Sequence, residues 1–347
     1  MKAYQLVAWA QPPELRDVPV PEPGPGDVLI KVGGAGACHT DLHLMDRPLH
    51  DDPLERPPFT LGHENAGWIE ALGAGVSGWR HGEAVAVYGA WGCGGCNACR
   101  QGREMLCERV SEVGSWGGGL GRDGGMAEYL LVPSARLLVP LGDLDPREAA
   151  PLTDAALTPY HAIKSGLSLL VPGTWALIIG VGGLGHLALQ LLRALAPARV
   201  IAVDVDDVKL ALARELGADA TVLAGETAAT EVRELTAGLG ATLVLDCVGS
   251  TSTMALATAA ARAGGAIQII GLGGGTLPLV AGGLPFDCSL TTPYWGSIVE
   301  LAEILELARA GKIQAHTEHF ALEDAAQAYA RLRAGTLQGR AVITPHG

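Results

Sequence analysis

The chain has 347 residues, and 24 Lys+Arg against 37 Asp+Glu leave a formal charge of −13. That acidic balance excludes a basic face for nucleic acid or an anionic membrane surface, while the length suggests about two domains with a sizeable core. Glycine, 48 residues or about 14% of the chain, is near twice its usual ~7%, yet no G-X-Y period of a collagen appears.

The stretch Met1 to Ala10 is short, holds Gln5 and soon meets Glu14, Arg16 and Asp17, so no secretory leader is expected. In the first 150 residues, short apolar runs such as Asp27-Val-Leu-Ile-Lys-Val32, Ala84-Val-Ala-Val-Tyr88 and Glu128-Tyr-Leu-Leu-Val132 alternate with Gly and Pro turns. Many short strands bounded by turns predict a β-rich, barrel-like domain. Within it, Cys38 in Gly36-Ala-Cys-His-Thr-Asp41 and His63 in Gly62-His-Glu64 could share a catalytic zinc with one position left open, or serve as core residues.

The sharpest local signal is Cys93-x2-Cys96-x2-Cys99-x7-Cys107. Four thiolates close a tetrahedral shell and leave no open position, which is the signature of a structural zinc. An iron–sulfur cluster wants a short final gap and a Cys-Pro ending, whereas here the gap is long and Glu108 follows. Gly92, Gly94, Gly95 and Gly102 suit a loop folding around an ion. An odd total of seven cysteines, four of them in this one segment, reads as metal binding in a reducing, cytoplasmic compartment and not as a disulfide framework.

Pro151 to about Ser165 begins a helical pattern. From Trp175 the rhythm becomes strand alternating with helix, which predicts a parallel sheet covered on both faces. The apolar stretch Trp175 to Leu192 is too interrupted for a membrane span. It reads as a strand, the turn Gly180-Val-Gly-Gly-Leu-Gly185 and a helix with Leu187, Leu191 and Leu195 on one face. In that context Gly180, Gly182, Gly183, Leu184 and Gly185 form a dinucleotide turn, whose glycines let a pyrophosphate approach the helix N-terminus. Asp204 ends the next strand, placed to accept hydrogen bonds from an adenosine ribose. With Asp206 and Asp207 it would repel a 2′-phosphate, so NAD is expected over NADP. Further strands are expected at Thr242–Leu245, Ala266–Ile270 and Ala341–Ile343, with a helix over Leu301–Ala310.

The order of these motifs, end to end, resembles the zinc-dependent alcohol dehydrogenases of the medium-chain dehydrogenase/reductase family, and most closely the bacterial secondary-alcohol enzymes. The resemblance implies an α/β protein with a GroES-like barrel domain, residues 1–155 and 298–347, and a doubly wound Rossmann domain, residues 156–297. It assigns Cys38, His63 and Asp154 to a catalytic zinc; many relatives carry a cysteine at the position of Asp154, and a helix-capping aspartate is the alternative there. Glu64 resembles a glutamate near the metal, and Asp41 the carboxylate that orients the metal-bound histidine. Thr40 and His43 stand where the family passes the alcohol's proton outward, and His39 where it contacts the pyrophosphate.

For the cofactor, the likeness adds Lys209 at the ribose, Arg340 at the pyrophosphate, Ile270 and Leu272 around Gly271 as the wall behind the nicotinamide or as plain strand core, and Val248 as a further cofactor contact. Tyr294 and Trp295 fall where similar enzymes line the substrate cleft or the adjoining subunit interface, with an ordinary aromatic core pair as the alternative, and an aromatic wall suits hydrophobic alcohols and ketones. The expected protein is therefore an NAD-dependent alcohol dehydrogenase with one catalytic and one structural Zn²⁺, a homodimer or homotetramer without nucleic-acid or membrane partners. A polyol dehydrogenase, or a catalytically silent NAD-binding zinc protein, is the alternative.

Overall fold

A computed structural model describes residues 1–48 and 54–347, and the chain divides into two compact units. The first holds Met1–Asp154, Trp295–Arg309 and Thr317–Gly347; the second holds Ala155–Tyr294 and Ala310–His316.

The first unit is built on a sheet of strands in the order Leu138–Pro140, Ala84–Val87, Glu64–Leu72, Val28–Gly36, Arg340–Thr344 and Thr317–Ala321, with Tyr129–Val132 also paired to Val28–Gly36. Its spine is the antiparallel pair Val28–Gly36 and Glu64–Leu72. Val28–Gly36 is buried at all but one position, which is why it reads as a continuous apolar and glycine run and not as an alternating one. Register shifts between Leu29 and Ile30 and between Val32 and Gly34 bend this ladder. The ladder ends by setting Gly36 opposite both Glu64 and Val342. A second sheet of Glu14–Asp17, Lys2–Leu6 and Phe59–Thr60 and a two-stranded pair of Gly117–Gly118 and Gly121–Arg122 also belong to this β-rich domain.

The second unit is a six-stranded parallel sheet in the order Ala220–Leu223, Arg199–Asp204, Trp175–Ile179, Ala241–Asp246, Ala261–Ile269 and Ser289–Thr291. Chain order reverses beside Trp175–Ile179, the topological switch point of a doubly wound Rossmann fold. Trp175–Ile179 and Ala241–Asp246 are buried throughout, as a sheet covered on both faces requires. Leu177, Ile179, Ile201, Val203, Val244 and Ile267 belong to its core.

The domain boundaries differ from the expected ones in three places. Ala155 falls in the second unit, and residues 295–297 belong to the first, where Trp295 Nε1 donates to the Thr153 carbonyl and the Tyr88 hydroxyl to the Gly296 carbonyl. Residues 310–316 return to the second unit because two side chains of helix Gly185–Leu195 fasten them. Gln190 exchanges hydrogen bonds with both backbone groups of Gln314, and His186 Nε2 accepts the His316 N–H at 3.1 Å. Among the described residues, no helix is long and apolar enough to cross a membrane.

Candidate active site

Cys93, Cys96, Cys99 and Cys107 converge so that their sulfurs all lie within 4.8 Å of one another. Cys93 Sγ stands 3.9 Å from Cys99 Sγ, and Cys96 Sγ 4.0 Å from Cys107 Sγ. Thiolates on one zinc at ~2.3 Å are about 3.8 Å apart along the edges of the tetrahedron, so this donor set fits the ion. The loop also aims amides at the sulfurs. Gly95 and Cys96 N–H donate to Cys93 Sγ at 3.4 and 3.3 Å, and the Cys99 N–H to Cys96 Sγ at 3.4 Å. The Gly95 amide leads in holding the Cys93 thiol down to about 6, whereas burial pushes Cys99 and Cys107 up. Four sulfurs this crowded ionise together only beside a cation.

The second cluster gathers Cys38, His63, Glu64 and Asp154, whose donor atoms also lie within 4.8 Å of one another. Cys38 sits at the N-cap of helix His39–Asp46, and His63 immediately precedes the strand Glu64–Leu72. Asp154 lies in the break between the 3-10 turn Ala150–Thr153 and helix Leu157–Gly166. It does not cap that helix, whose N-cap is Ala156. Its Oδ2 instead stands 3.9 Å from Cys38 Sγ and 3.6 Å from His63 Nε2. Tetrahedral zinc with bonds of ~2.0–2.3 Å sets such sulfur–oxygen and nitrogen–oxygen pairs at about 3.6 and 3.4 Å. One sulfur, one ring nitrogen and one carboxyl oxygen thus form three corners of a fitting shell.

The surroundings complete this centre. Asp41 Oδ1 faces His63 Nδ1 at 3.2 Å, while Asp41 Oδ2 accepts the Cys38 N–H at 2.9 Å and the Tyr329 hydroxyl at 2.8 Å. Burial alone would drive the His63 ring neutral, but the Asp41 and Asp154 carboxylates more than offset it and hold its proton well above the usual histidine range. The Trp295 indole meets the same ring edge to face at 5.9 Å, and Trp295 is 4% exposed. Tyr294, by contrast, belongs to the second unit and is exposed, so the two neighbouring aromatics have separate environments. Thr40 Oγ1 lies 3.6 Å from Cys38 Sγ. His43, three residues on and therefore on the same helix face, is exposed, as is His39.

Glu64 and Arg340 form a buried pair. Arg340 Nε donates to Glu64 Oε2 at 3.0 Å, and Arg340 Nη2 to Glu64 Oε1. Burial raises Glu64 to about 7 against the pull of the Arg340 guanidinium. Arg340, expected at the pyrophosphate, has a side chain that is 1% exposed and is the counter-ion of Glu64 in this structure.

In the second unit, the residues expected around a dinucleotide converge on one end of the sheet. Gly180 has φ +90°, and a Cβ there would stand 2.6 Å from Val248 Cγ2. At Gly185 a Cβ would overlap the Gly180 carbonyl, whereas at Gly182 it would project into open space. The turn is thus tight where helix meets strand and bare where a phosphate would sit, above the helix N-terminus that favours it. Asp204 ends its strand, with Oδ2 accepting the Val181 N–H at 2.7 Å and Oδ1 the Asp206 N–H at 3.1 Å. Lys209 lies in the first turns of helix Asp207–Glu215. Gly271 packs against the Val248 backbone, Ile270 is buried, and the side chains of Val248 and Leu272 are exposed. Gly183 and Leu184 complete the turn before helix Gly185–Leu195.

One participant and one pairing escape the sequence. Tyr329 is separated from Asp41 by 288 positions, and the partnership of Arg340 with Glu64 spans 276. Neither carries a local pattern that announces it.

Known proteins share this organisation. The family model for the alcohol dehydrogenase GroES-like domain matches residues 24–143, and that for the zinc-binding dehydrogenase matches residues 183–309. The NAD-dependent alcohol dehydrogenase of Sulfurisphaera tokodaii is 35% identical over 99% of this chain and 100% of its own. The D-arabinose 1-dehydrogenase (NADP(+)) of Saccharolobus solfataricus is also 35% identical, over 99% of this chain and 97% of its own. The crystal structure of the alcohol dehydrogenase from Aeropyrum pernix superimposes with a TM-score of 0.92 at 38% identity, covering 99% of this chain and 100% of that one. With both domains matched in order and the likeness running over nearly the whole length, this chain belongs to the zinc-dependent alcohol dehydrogenases of the medium-chain dehydrogenase/reductase family, NAD-linked enzymes that act on alcohols.

Proposed function

We propose that the enzyme interconverts hydrophobic secondary alcohols, aryl-alkyl ones included, with their ketones, using two zinc ions per chain. The observation that carries the substrate class is the buried Trp295 indole set against His63. A flat apolar wall beside the reacting oxygen favours an apolar substituent, and it would strand the hydroxyls of a sugar without partners.

In this reading Cys38, His63 and Asp154 hold the catalytic zinc, and Cys93, Cys96, Cys99 and Cys107 the structural one. When bound, zinc polarises the alcohol oxygen as a Lewis acid and NAD accepts the hydride. The protein's own part is positional and protonic. Asp41 keeps the imidazole proton at His63 Nδ1, so that the Nε2 lone pair faces Asp154 and Cys38. Thr40 Oγ1 would take the substrate's hydroxyl proton as it gives up its own, and exposed His43 would supply the general base at the outer end of that path; the cofactor ribose, when bound, would supply hydroxyls for it. His39, Arg340 and the Gly180–Gly185 turn would hold the pyrophosphate, and Asp204 and Lys209 the adenosine ribose. Ile270, Gly271 and Leu272 would form the wall behind the nicotinamide, Val248 would be a further cofactor contact, and Tyr294 would be a substrate contact.

Elemental analysis should find two zinc ions per chain, and Asp154→Ala should lose one ion together with activity. A panel of 2-alkanols, 1-phenylethanol, primary alcohols and sugars with NAD⁺ tests the substrate class. Trp295→Ala should reduce kcat/KM for 1-phenylethanol more than for ethanol. Sugar oxidation is the second reading, favoured by the D-arabinose 1-dehydrogenase relative; turnover of D-arabinose without turnover of 1-phenylethanol would establish it.

Self-association into a dimer or tetramer is part of the proposal. Its support is the open edge strand Ser289–Thr291 preceded by exposed Leu279, Val280 and Phe286, the last 85% exposed. Phe286→Asp should shift the sedimentation coefficient toward that of a monomer. The free cysteines are consistent with a reducing, cytoplasmic setting.

A further inference from the structure

We infer that Tyr329 is a positioning residue of the catalytic metal centre: its hydroxyl locks the Asp41 carboxylate, which in turn sets the orientation of His63. The inference rests on the reading of Cys38, His63 and Asp154 as zinc ligands.

Asp41 is fully buried, and its two oxygens divide their work. Oδ1 faces His63 Nδ1 in an ion-pair contact at 3.2 Å, and among the described residues neither atom has a hydrogen-bond partner that would pull it elsewhere. The tilt of the imidazole therefore follows the position of Oδ1. That position is set at the other oxygen, where Oδ2 accepts the Cys38 N–H at 2.9 Å and the Tyr329 O–H at 2.8 Å. One bond leaves the carboxylate able to turn about its Cβ–Cγ axis; two bonds from different directions do not. Cys38 and His63 are thereby tied to one carboxylate, and the C-terminal helix Ala325–Arg333 supplies the second anchor.

A packing role would not need this hydroxyl. The Tyr329 ring is buried and stacks on Tyr4 with centroids 6.1 Å apart, a contact phenylalanine would keep. Met126 Sδ lies 3.0 Å from the phenol oxygen, but the single proton goes to the carboxylate, a far stronger acceptor than a thioether. Groups behind a metal-bound histidine hold it in place, and their loss typically weakens metal binding or activity by about 10–100-fold.

The test compares Tyr329→Phe with Tyr4→Phe in the zinc-loaded enzyme. Both variants keep the stacked rings, and only the first removes the hydroxyl on Asp41. We expect Tyr329→Phe to release its catalytic zinc to a chelator about 10–100-fold faster, with kcat reduced, the KM for NAD unchanged and the Cys93–Cys107 ion retained. The visible spectrum of cobalt exchanged into the site should shift. Tyr4→Phe should match the wild type in all of these. Release rate and cobalt spectrum unchanged in Tyr329→Phe, with a two-zinc wild type, overturn this inference alone. Equal changes in both variants assign the effect to packing and overturn it as well. A wild type that carries only the Cys93–Cys107 ion overturns the zinc-centre reading and this inference together.

Discussion

Gly36 and Glu64 face each other across the antiparallel strands Val28–Gly36 and Glu64–Leu72, and a Cβ on Gly36 would stand 2.9 Å from Glu64 Cβ and overlap its carboxylate. The glutamate has no room to yield, because it is fully buried and Arg340 grips both of its oxygens. The absence of a side chain at position 36 therefore lets the Glu64–Arg340 pair lie beside Asp154. We expect Gly36→Ala to lose about 1–3 kcal/mol, the usual penalty of overfilling a packed interior, and to lower kcat/KM by displacing the pair. Denaturant unfolding read alongside steady-state kinetics checks both. Full stability in the variant would mean that the strands separate more readily than this register implies.

The cysteine lobe makes an independent prediction. Its four sulfurs lie within 4.8 Å of one another, with two pairs close to tetrahedral spacing, and much of the loop's hydrogen bonding runs through them. Cys93→Ser should remove one zinc per chain and lower the thermal midpoint, since binding free energy in such a site is folding free energy. The catalytic ion should remain. A variant with undiminished metal content and melting temperature would exclude zinc from the lobe.

How far the sequence discloses this molecule depends on how local each feature is. The cysteine lobe and the Gly180–Gly185 turn are legible because ligand spacing and turn geometry are written within a few residues. The alternation of strand and helix after Trp175 is legible because sheet burial makes apolar runs such as Trp175–Ile179. Asp154 came only by resemblance: a lone aspartate before an apolar run looks like a helix cap, and only the folded chain turns it toward Cys38 and His63. The pairing of Arg340 with Glu64 is not legible, because a Gly-Arg pair near the C-terminus carries no sign of it. The return of residues 310–316 to the Rossmann unit depends on Gln190 and His186, two polar residues whose partners are backbone groups over a hundred positions away. Tertiary hydrogen bonds of that kind leave no periodicity to read.

Asp204 should govern the choice of cofactor. Its oxygens are oriented by the Val181 and Asp206 amides, with Asp206 and Asp207 adding negative charge nearby. Asp204→Asn keeps the shape and removes the charge. A hydrogen bond to a charged group contributes about 1.5–3 kcal/mol, so the KM for NAD should rise roughly 10- to 100-fold. Discrimination against NADP should fall at the same time. Paired kinetics with both cofactors decide it, and an unchanged ratio would remove Asp204 from the specificity mechanism.

The metal-free and zinc-loaded forms should respond to pH in opposite senses. In the metal-free fold, burial raises Glu64 from 4.5 to about 7, with Arg340 opposing the shift. A folded-state value above the unfolded one means that the folded protein binds the extra proton. The stability Glu64 contributes is then fully present below pH 4.5 and is lost as the pH climbs through about 7. Zinc acts the other way: its cation favours the ionised carboxylate, and it must displace the proton held on His63, so binding strengthens as pH rises. The gap in thermal midpoint between loaded and stripped enzyme should therefore widen from pH 5 to pH 7. Glu64→Gln, which cannot titrate, should flatten the stripped protein's share of that change while leaving the zinc-dependent rise in place. Scanning calorimetry of the four samples across this range measures both contributions. A gap that stays constant with pH would mean that zinc displaces no proton from Glu64 or His63 in this range, and equal slopes for stripped wild type and stripped Glu64→Gln would mean that Glu64 is ionised throughout, with Arg340 outweighing the cost of its burial.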